Sequence, residues 1–180
     1  MELLDFAGPA EVFASAGFQV RTVATSREPI PCMGLITITP SYTLEDCPRS
    51  DIIVVPGGST RAVAMDKRVT AWLAHAATEA EATLSVCTGA FVLANAGLLD
   101  GKEATTHWGS IERLRKQFPR ITVRDHQRVV DAGKVVTSAG VSAGIDGALH
   151  VVDRLAGRTI AVKAARYMEY TWQPTQATKT

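Results

Sequence analysis

Short apolar runs alternate along the chain with longer segments whose apolar residues recur at helical spacing. The clearest run is Ile52 to Val55, four β-branched residues that end at Pro56-Gly57-Gly58, and it predicts a central parallel strand covered on both faces. Apolar residues spaced three and four apart predict a helix over 66–80. The pattern then predicts a strand over 82–87 and a helix over 88–96, so Cys87 is expected where a strand meets a helix.

The same alternation continues on both sides of this region. It predicts strands at 18–24, 36–40 and 104–106, two extended runs joined by a turn within 128–137, and helices at 110–117, 142–155 and 158–167. Strands that alternate with helices predict an α/β fold with a mostly parallel sheet and helices on both faces. We expect one domain over residues 1–172 and a polar tail over 173–180, with fraying from Trp172 onward.

Composition and charge limit the kinds of partner and the compartment that the sequence predicts for this protein. The 180 residues include 19 Lys and Arg against 18 Asp and Glu, and no basic run alternates with aromatic residues, which argues against nucleic acid as the principal partner. No apolar run approaches the ~20 residues of a membrane span. The first residues are acidic and lack the basic leader of a secretory signal, so a cytoplasmic protein is predicted.

Cys87 is the strongest candidate for reactive chemistry. Unpaired N–H groups and the positive end of the dipole at a helix start favour a thiolate, which makes the residue a candidate nucleophile. The alternative is a small buried apolar residue, as most free cysteines are. Thr88 and Gly89 favour the nucleophile, because the glycine allows close packing and the hydroxyl holds a nearby oxygen. No role is predicted for Cys32 and Cys47.

Three further positions complete the candidate site. Exposed N–H groups of Gly57 and Gly58 are predicted to bind developing negative charge as an oxyanion hole, although the pair is also compatible with a plain tight turn. Asp5 is either an N-terminal helix cap or, held near the cysteine in a partly dry pocket, a proton donor or water activator. The Gly8-Pro9 that follows is typical of a helix start.

His107 is a candidate pocket residue, with a packing or supporting role favoured over direct contact. The other histidines lack ligand-like spacing, so neither zinc nor another metal is predicted. The glycine-rich segment 138–144 lacks the Lys-Ser/Thr of a phosphate-binding loop and the full Gly-x-Gly-x-x-Gly spacing. We therefore predict no nucleotide and no other cofactor.

Together these segments resemble the ThiJ/PfpI superfamily of class I glutamine amidotransferase-like proteins, and within it the isonitrile hydratase-like branch. The resemblance covers the chain from Leu3 to about Tyr170. It implies a flavodoxin-like three-layer sandwich, a homodimer and a metal-free cysteine site that acts on a small molecule. The motifs that carry it are Leu4-Asp5-Phe6-Ala7-Gly8-Pro9, Val55-Pro56-Gly57-Gly58, Ser85-Val86-Cys87-Thr88-Gly89-Ala90, Ala104-Thr105-Thr106-His107-Trp108 and Ala143-Gly144-Ile145-Asp146.

The resemblance also assigns roles within the site. It implies that Cys87 is the nucleophile, Asp5 the acid/base carboxylate and Thr88 a supporting hydroxyl, with Gly57 and Gly58 beside the anion site. The protease branch has histidine where this chain has Thr88, so a peptidase would lack its base. Branches related to glyoxalase and deglycase have glutamate where this chain has Asp5. The implied reaction is the addition of water to an isonitrile, which gives an N-substituted formamide.

Members of the superfamily usually carry a further apolar strand before the Leu-Asp-x-x-Gly-Pro segment. The sequence begins only four residues before Asp5, so we expect this strand, near the centre of the sheet, to be missing. Two other functions stay open. Similar domains serve as sensor modules fused to AraC-type regulators, and a reversibly oxidised Cys87 would suit a redox-responsive protein.

Overall fold

Helices and strands alternate through residues 1–174, the part of the chain that the computed structural model describes. The helices are α1 (Leu3–Ser15), α2 (Arg61–Met65), α3 (Lys67–Glu79), α4 (Gly89–Asn95), α5 (Ile111–Gln117), α6 (Ala143–Ala156) and α7 (Arg158–Tyr167), with one 3-10 turn at Trp108–Ser110. The strands are β1 (Val23–Ala24), β2 (Ile30–Cys32), β3 (Ile36–Ile38), β4 (Tyr42–Thr43), β5 (Ile52–Val55), β6 (Ala82–Val86), β7 (Glu103–Ala104), β8 (Thr122–Val123), β9 (Val129–Ala132) and β10 (Val135–Ser138).

The main sheet has the strand order β5-β6-β10-β9. β5, β6 and β10 are parallel, whereas β9 pairs with β10 as an antiparallel hairpin that turns at Gly133, where φ is 84°. Three two-stranded pairs surround it: β1 with β4 and β7 with β8 are parallel, and β2 with β3 is antiparallel. The predicted α/β fold with a mostly parallel sheet is confirmed.

Two apolar clusters flank the main sheet and define the three layers. On one face, buried residues such as Leu73, Phe91 and Leu114 join α3, α4 and α5 to the sheet. On the other, Leu84 and Val86 of β6 pack among residues of α1, α6 and α7. All five positions of β6 are buried, as expected for a strand covered on both faces. Within residues 1–174, no helix combines the length and the hydropathy needed to span a membrane.

The prediction for 52–55 is correct in type and wrong in position. β5 is a parallel strand, but it ends the hydrogen-bonded ladder instead of lying at its centre, because it pairs with β6 alone among the described strands. Three of its four residues are only half-buried, unlike those of β6. The strand predicted at 18–24 is likewise confined to Val23–Ala24, which pairs with β4 and does not reach β5.

Both ends of the chain also differ from the sequence prediction. α1 begins at Leu3, so Gly8 and Pro9 lie inside the helix and do not start it. Gly8 lets α1 approach α6, since a Cβ there would lie 2.9 Å from Cγ1 of Ile145. Trp172 does not fray: it packs against the α1/α6/α7 cluster, and the guanidinium of Arg158 lies 5.3 Å from the centroid of its ring. Most of the predicted tail, 175–180, lies outside the described residues.

Candidate active site

Cys87 lies on a tight elbow between β6 and α4. Its φ of 57° is unusual for a residue with a side chain. Its N–H donates to the carbonyl oxygens of Ser138 (3.2 Å) and Ala139 (3.1 Å), and its own carbonyl accepts a hydrogen bond from Oγ1 of Thr106 at 2.7 Å. The surrounding strands therefore hold a strained backbone conformation, which is a common feature of functional sites. Only 5% of the residue is exposed.

The elbow also requires Gly89, the first residue of α4. A Cβ at this position would lie 2.1 Å from the carbonyl oxygen of Val55, so helix and strand approach more closely than any side chain permits. We expect Gly89→Ala to destabilise the fold by at least about 3 kcal/mol, because backbone on both sides must shift. Thermal unfolding is expected to show a melting temperature lower by about 6–12 °C.

Gly109→Ala is the matched control for this substitution. A Cβ at Gly109 would meet only ring atoms of His107, at 3.4 and 3.6 Å, which are ordinary contacts or nearly so. Its melting temperature is expected to change little, since surface substitutions away from special features usually fall within about 0.5 kcal/mol. Equal melting temperatures for Gly89→Ala and wild type would contradict the close approach.

Asp5 is fully buried on α1 and reaches the same elbow. Its two carboxylate oxygens accept hydrogen bonds from the N–H groups of Gly57 (3.0 Å to Oδ2) and Val141 (2.9 Å to Oδ1). The side chain of Cys87 lies beside this carboxylate, since a Cβ placed on Gly57 would lie 2.7 Å from Oδ2 of Asp5 and 2.8 Å from Cβ of Cys87. The helix-cap alternative is wrong, because Glu2 occupies the N-cap position of α1 and Asp5 bonds to two distant segments.

Val141 is a site residue that the sequence patterns do not reveal. It has a φ of 56°, a clear outlier for a β-branched residue, and this conformation lies in the loop between β10 and α6 that aims its N–H at Asp5. Thr106 is a second, since its hydroxyl bonds to the carbonyl of Cys87. Thr106 belongs to the motif Ala104-Thr105-Thr106-His107-Trp108, and Val141 lies within the glycine-rich segment 138–144, but neither role is predictable because backbone donors and carbonyl contacts leave no periodic pattern.

Burial governs the protonation of the Cys87–Asp5 pair. Desolvation, followed by the negative charge of Asp5, raises the pKa of the Cys87 thiol to about 11, and the hydrogen bond from the N–H of Thr88 offsets only part of this. Desolvation also raises the pKa of Asp5, against the lowering by the N–H groups of Gly57 and Val141. The N–H of Thr88 at the helix start thus lowers the pKa of the thiol, as predicted, but burial and the charge of Asp5 outweigh this effect and favour the protonated sulfur. The carboxylate of Asp5 lies beside the thiol, which makes it the candidate base for the thiol proton.

The glycine pair and Thr88 form a second group of contacts beside the thiol. The N–H of Gly58 donates to Oγ1 of Thr88 at 2.9 Å, and that hydroxyl donates to the carbonyl oxygen of Gly58 at 2.9 Å. A Cβ at Gly57 would lie 2.8 Å from Cβ of Cys87, so only glycine fits here. Both glycine N–H groups already have acceptors, in Asp5 and Thr88. For either to bind an oxyanion, it must exchange that acceptor for the substrate.

His107 packs behind the elbow. Its Nδ1 accepts a hydrogen bond from the N–H of Gly109 at 3.2 Å, and its ring lies so close to Gly140 that a Cβ there would be 2.3 Å from Cδ2. Gly140 directly precedes Val141, the residue that binds Asp5. The ring of His107 therefore packs against the segment whose next residue binds the carboxylate of Asp5, and its predicted supporting role remains a prediction.

The fold and this cysteine site define a family. The DJ-1/PfpI family model matches residues 1–154, and the chain belongs to that family. The chain is 38% identical over 176 residues to an isonitrile hydratase of Pseudomonas putida, a match that covers 97% of this chain and 76% of that protein. A crystal structure of a ThiJ/PfpI family protein from Pseudomonas syringae superposes with a TM-score of 0.87 at 35% identity, over 99% of this chain and 75% of that one. The predicted flavodoxin-like sandwich is confirmed by this likeness.

Regulators are also among the relatives. The chain is 29% identical over 137 residues to the HTH-type transcriptional regulator CdhR of Pseudomonas aeruginosa, a match that covers 76% of this chain and 40% of the regulator. Similar sequences therefore occur in proteins whose names indicate different activities.

Proposed function

We propose that this protein is an isonitrile hydratase-like enzyme that adds water to a small isonitrile and releases an N-substituted formamide. The observation that carries the proposal is the buried pair of Cys87 and Asp5, a candidate nucleophile on a strained elbow beside a carboxylate. Nucleophilic catalysis needs a thiol and a base within hydrogen-bond reach of each other. The 38% identity with an isonitrile hydratase supports the choice of substrate class.

In the first half of the proposed reaction, the carboxylate of Asp5 takes the proton of the Cys87 thiol as the sulfur attacks the terminal carbon of R–N≡C. Asp5 then delivers that proton to the same carbon. The product is a covalent thioimidate, R–N=CH–S–Cys87, and Asp5 is again ionised. No group leaves in this half-reaction, since the thiol S–H has added across the isonitrile carbon.

In the second half, Asp5 removes a proton from water as the oxygen attacks the thioimidate carbon, and it delivers that proton to the nitrogen, which gives the tetrahedral intermediate R–NH–CH(OH)–S–Cys87. As the C–S bond then breaks, Asp5 takes the hydroxyl proton and passes it to the sulfur, so that the thiol and the carboxylate are both regenerated. The net change is R–N≡C plus H₂O to R–NH–CHO, with no oxidation and no cofactor. The burial of both side chains limits the chemistry to a small substrate and a controlled entry of water.

Isotope labelling tests the proposal directly. When the protein turns over a panel of alkyl and aryl isonitriles in H₂¹⁸O, the formamide is expected to carry one ¹⁸O atom, read as a gain of about 2 Da by mass spectrometry, because in this mechanism its oxygen comes from water. Acid quenching during turnover is expected to trap protein heavier by the mass of the intact isonitrile. Peptide mapping should locate this addition on Cys87.

Glyoxals and amides assayed in parallel are the comparison substrates. If Cys87-dependent turnover occurs with a glyoxal or an amide and with no isonitrile, the proposed reaction is wrong although the nucleophile is right. Formamide without a protein adduct and without dependence on Cys87 contradicts covalent catalysis.

A ligand-sensing module is the second candidate function, and the similarity to a transcriptional regulator favours it. Such a module binds its small molecule at the same elbow and releases it unchanged. Isothermal titration that detects saturable binding of an isonitrile, together with product analysis that finds no formamide, would favour sensing over catalysis.

We further propose a cytoplasmic homodimer. The cysteines Cys32, Cys47 and Cys87 are free, as is usual in a reducing compartment. The β2–β3 hairpin exposes large apolar side chains, including Met33, Leu35 and Ile36 at 60, 70 and 48% of their surface. A second copy that covers this hairpin would remove the patch from water.

A further inference from the structure

The loop over residues 139–142 joins β10 to α6 and touches both residues of the proposed catalytic pair. The carbonyl oxygen of Ala139 accepts a hydrogen bond from the N–H of Cys87 at 3.1 Å. Two residues later, the N–H of Val141 donates to Oδ1 of Asp5 at 2.9 Å. This one loop therefore binds the elbow of the cysteine and orients the carboxylate.

The loop needs support because its backbone is strained. Val141 has a φ of 56°, which is costly for a β-branched residue and persists only where the surroundings enforce it. On one side, the ring of His107 packs against Gly140, where a Cβ would lie 2.3 Å from Cδ2 of the ring. A steric contact on one side limits the loop in one direction and leaves its two ends to be held by hydrogen bonds.

Arg128, the residue before β9, holds both ends of the loop. Its carbonyl oxygen accepts a hydrogen bond from the N–H of Ala139 at 2.9 Å, and its Nη2 donates to Oγ of Ser142 at 3.0 Å. Ser142 is the N-cap residue of α6, yet within residues 1–174 its hydroxyl accepts no hydrogen bond from the helix. A serine at this position usually caps its helix, so this hydroxyl is committed to Arg128 instead.

A buried carboxylate fixes the side chain of Arg128. Nε of Arg128 pairs with Oδ2 of Asp146 in the first turn of α6, and the hydroxyl of Tyr170 donates to Oδ1 of Asp146 at 3.1 Å. Only 6% of Asp146 is exposed, whereas half of the Arg128 side chain is. A buried charge needs partners, so this ion pair is held together strongly. The guanidinium therefore has a fixed position from which its second donor reaches the loop.

We propose that Arg128 is a positioning residue, which holds this loop in the one conformation that aims the N–H of Val141 at Asp5. The importance of the loop for catalysis rests on the proposed function, whereas its restraint by Arg128 does not. Loss of the restraint allows Val141 to leave its strained φ, and the carboxylate of Asp5 then loses one of its two backbone donors.

The expected consequence is a change in the protonation of this carboxyl group. Burial raises the pKa of Asp5, the N–H groups of Gly57 and Val141 and the side chain of Cys87 lower it, and the charge of Glu2 raises it. When the loop loosens, the ionised form loses one donor, so the pKa of Asp5 is expected to rise. A residue that only stabilised the fold would lower the melting temperature without this change.

Hydrogen exchange of the Val141 amide, followed by NMR in protein labelled with ¹⁵N-valine, measures the restraint without any substrate. Arg128→Ala removes both the ion pair and the bond to the loop, whereas Ser142→Ala removes only the bond and leaves the buried carboxylate paired. Exchange is expected to be at least about tenfold faster in Arg128→Ala and at least about threefold faster in Ser142→Ala. Ser142→Ala decides the question if Arg128→Ala does not fold.

Arg154→Ala is the matched control. Arg154 lies in the last turn of α6 and pairs with Asp131 of β9 at 3.0 Å, so it joins the same two elements at the other end of the helix. Its removal is expected to lower the melting temperature but to leave the exchange of the Val141 amide unchanged. Equal acceleration in Arg154→Ala overturns the proposal, as does unchanged exchange in both Arg128→Ala and Ser142→Ala.

Titration of the Asp5 carboxyl by ¹³C NMR, with its signal identified by its absence in Asp5→Asn, connects the loop to the proposed reaction. The midpoint is expected to move to higher pH in Arg128→Ala and to stay in place in Arg154→Ala, and the acid limb of the pH–rate profile should follow it. An unmoved midpoint despite faster exchange overturns the action of Arg128 on Asp5. If exchange and midpoint change as expected but wild type turns over no isonitrile, the positioning role stands and the proposed function fails.

Discussion

A Cys87→Ala variant is expected to lose formamide formation by at least about 10⁴-fold while it stays folded. Alanine keeps the Cβ and the backbone contacts of the elbow but removes the sulfur that forms the thioimidate. The loss is expected in kcat, because the carbon–sulfur bond belongs to the reaction and not to the binding of the isonitrile. Formamide quantified by liquid chromatography, at enzyme concentrations high enough to see residual turnover, measures the effect.

Two control variants distinguish the loss of the nucleophile from the loss of any other cysteine and from unfolding. Cys47→Ala removes a half-buried thiol that lines a cavity to which neither Asp5 nor Cys87 contributes, and it is expected to retain full turnover. Cys87→Ser preserves a hydrogen-bond donor to the carboxylate but supplies a weaker nucleophile, so its turnover is expected to be nearly as low as that of alanine. Full activity of Cys87→Ala, with a circular dichroism spectrum like that of wild type, would exclude covalent catalysis.

The position of the nucleophile was predictable because its determinants are local. An apolar run, a cysteine and a following Thr88-Gly89 pair mark the end of β6 and the start of α4, and the structure places Cys87 between them. The sequence shows a glycine at position 89, but it does not show why only glycine fits there. A Cβ at this position would lie 2.1 Å from the carbonyl oxygen of Val55, which belongs to a strand more than thirty residues away.

The protonation state was not predictable from local sequence. A helix start lowers the pKa of a thiol only where the dipole and N–H groups outweigh desolvation, and α4 is a short helix of seven residues. Burial of Cys87 and the charge of Asp5 outweigh them here. That charge comes from α1, which the fold brings to the elbow from the other end of the chain. Composition and spacing contain no information on this contact.

Tertiary contacts also decide where α1 begins and where β5 lies in the sheet, and local sequence rules predict both wrongly. Pro9 inside α1 leaves the carbonyl of Asp5 without its usual donor four residues on, so sequence rules favour a helix that starts at the proline. Packing of α1 against α6 through Gly8 outweighs this cost. β5 looks central from its apolar composition, yet within residues 1–174 it pairs with β6 alone. Composition reports what covers the faces of a strand and not which strands lie beside it.

The second large effect is expected for Asp5→Asn, in which turnover and thiol reactivity change in opposite directions. Turnover is expected to fall by about 10²–10⁴-fold, the usual contribution of a general base. Alkylation of Cys87 by iodoacetamide at pH 8 is expected to become faster, because removal of the negative charge lowers the pKa of the thiol from about 11. Each unit of that decrease raises the thiolate fraction about tenfold.

Slower turnover together with faster alkylation of Cys87 distinguishes a general base from a residue that only positions the thiol. If Asp5 merely positioned Cys87, a more ionised thiol would be expected to turn over as fast or faster. In the proposed mechanism a ready-made thiolate is not enough, since the isonitrile carbon must also receive a proton and water must lose one. The wild-type pH–rate profile is expected to rise as Asp5 ionises, at a pH above the ordinary pKa of 3.8 because burial raises it, and this acid limb should vanish in Asp5→Asn.

The melting temperature of Asp5→Asn must be measured together with its turnover and its alkylation rate. Asparagine offers only one oxygen to the two N–H groups of Gly57 and Val141. One buried donor then faces an amide NH₂, at a cost of about 1–3 kcal/mol, so the melting temperature is expected to fall without loss of the fold. Glu2→Gln is the matched control: it removes a charge that acts on Asp5 but touches neither the thiol nor the two N–H groups, and turnover should change little. Slower alkylation in Asp5→Asn would contradict the action of the Asp5 charge on the sulfur. Turnover equal to that of Glu2→Gln would contradict the assignment of Asp5 as the base.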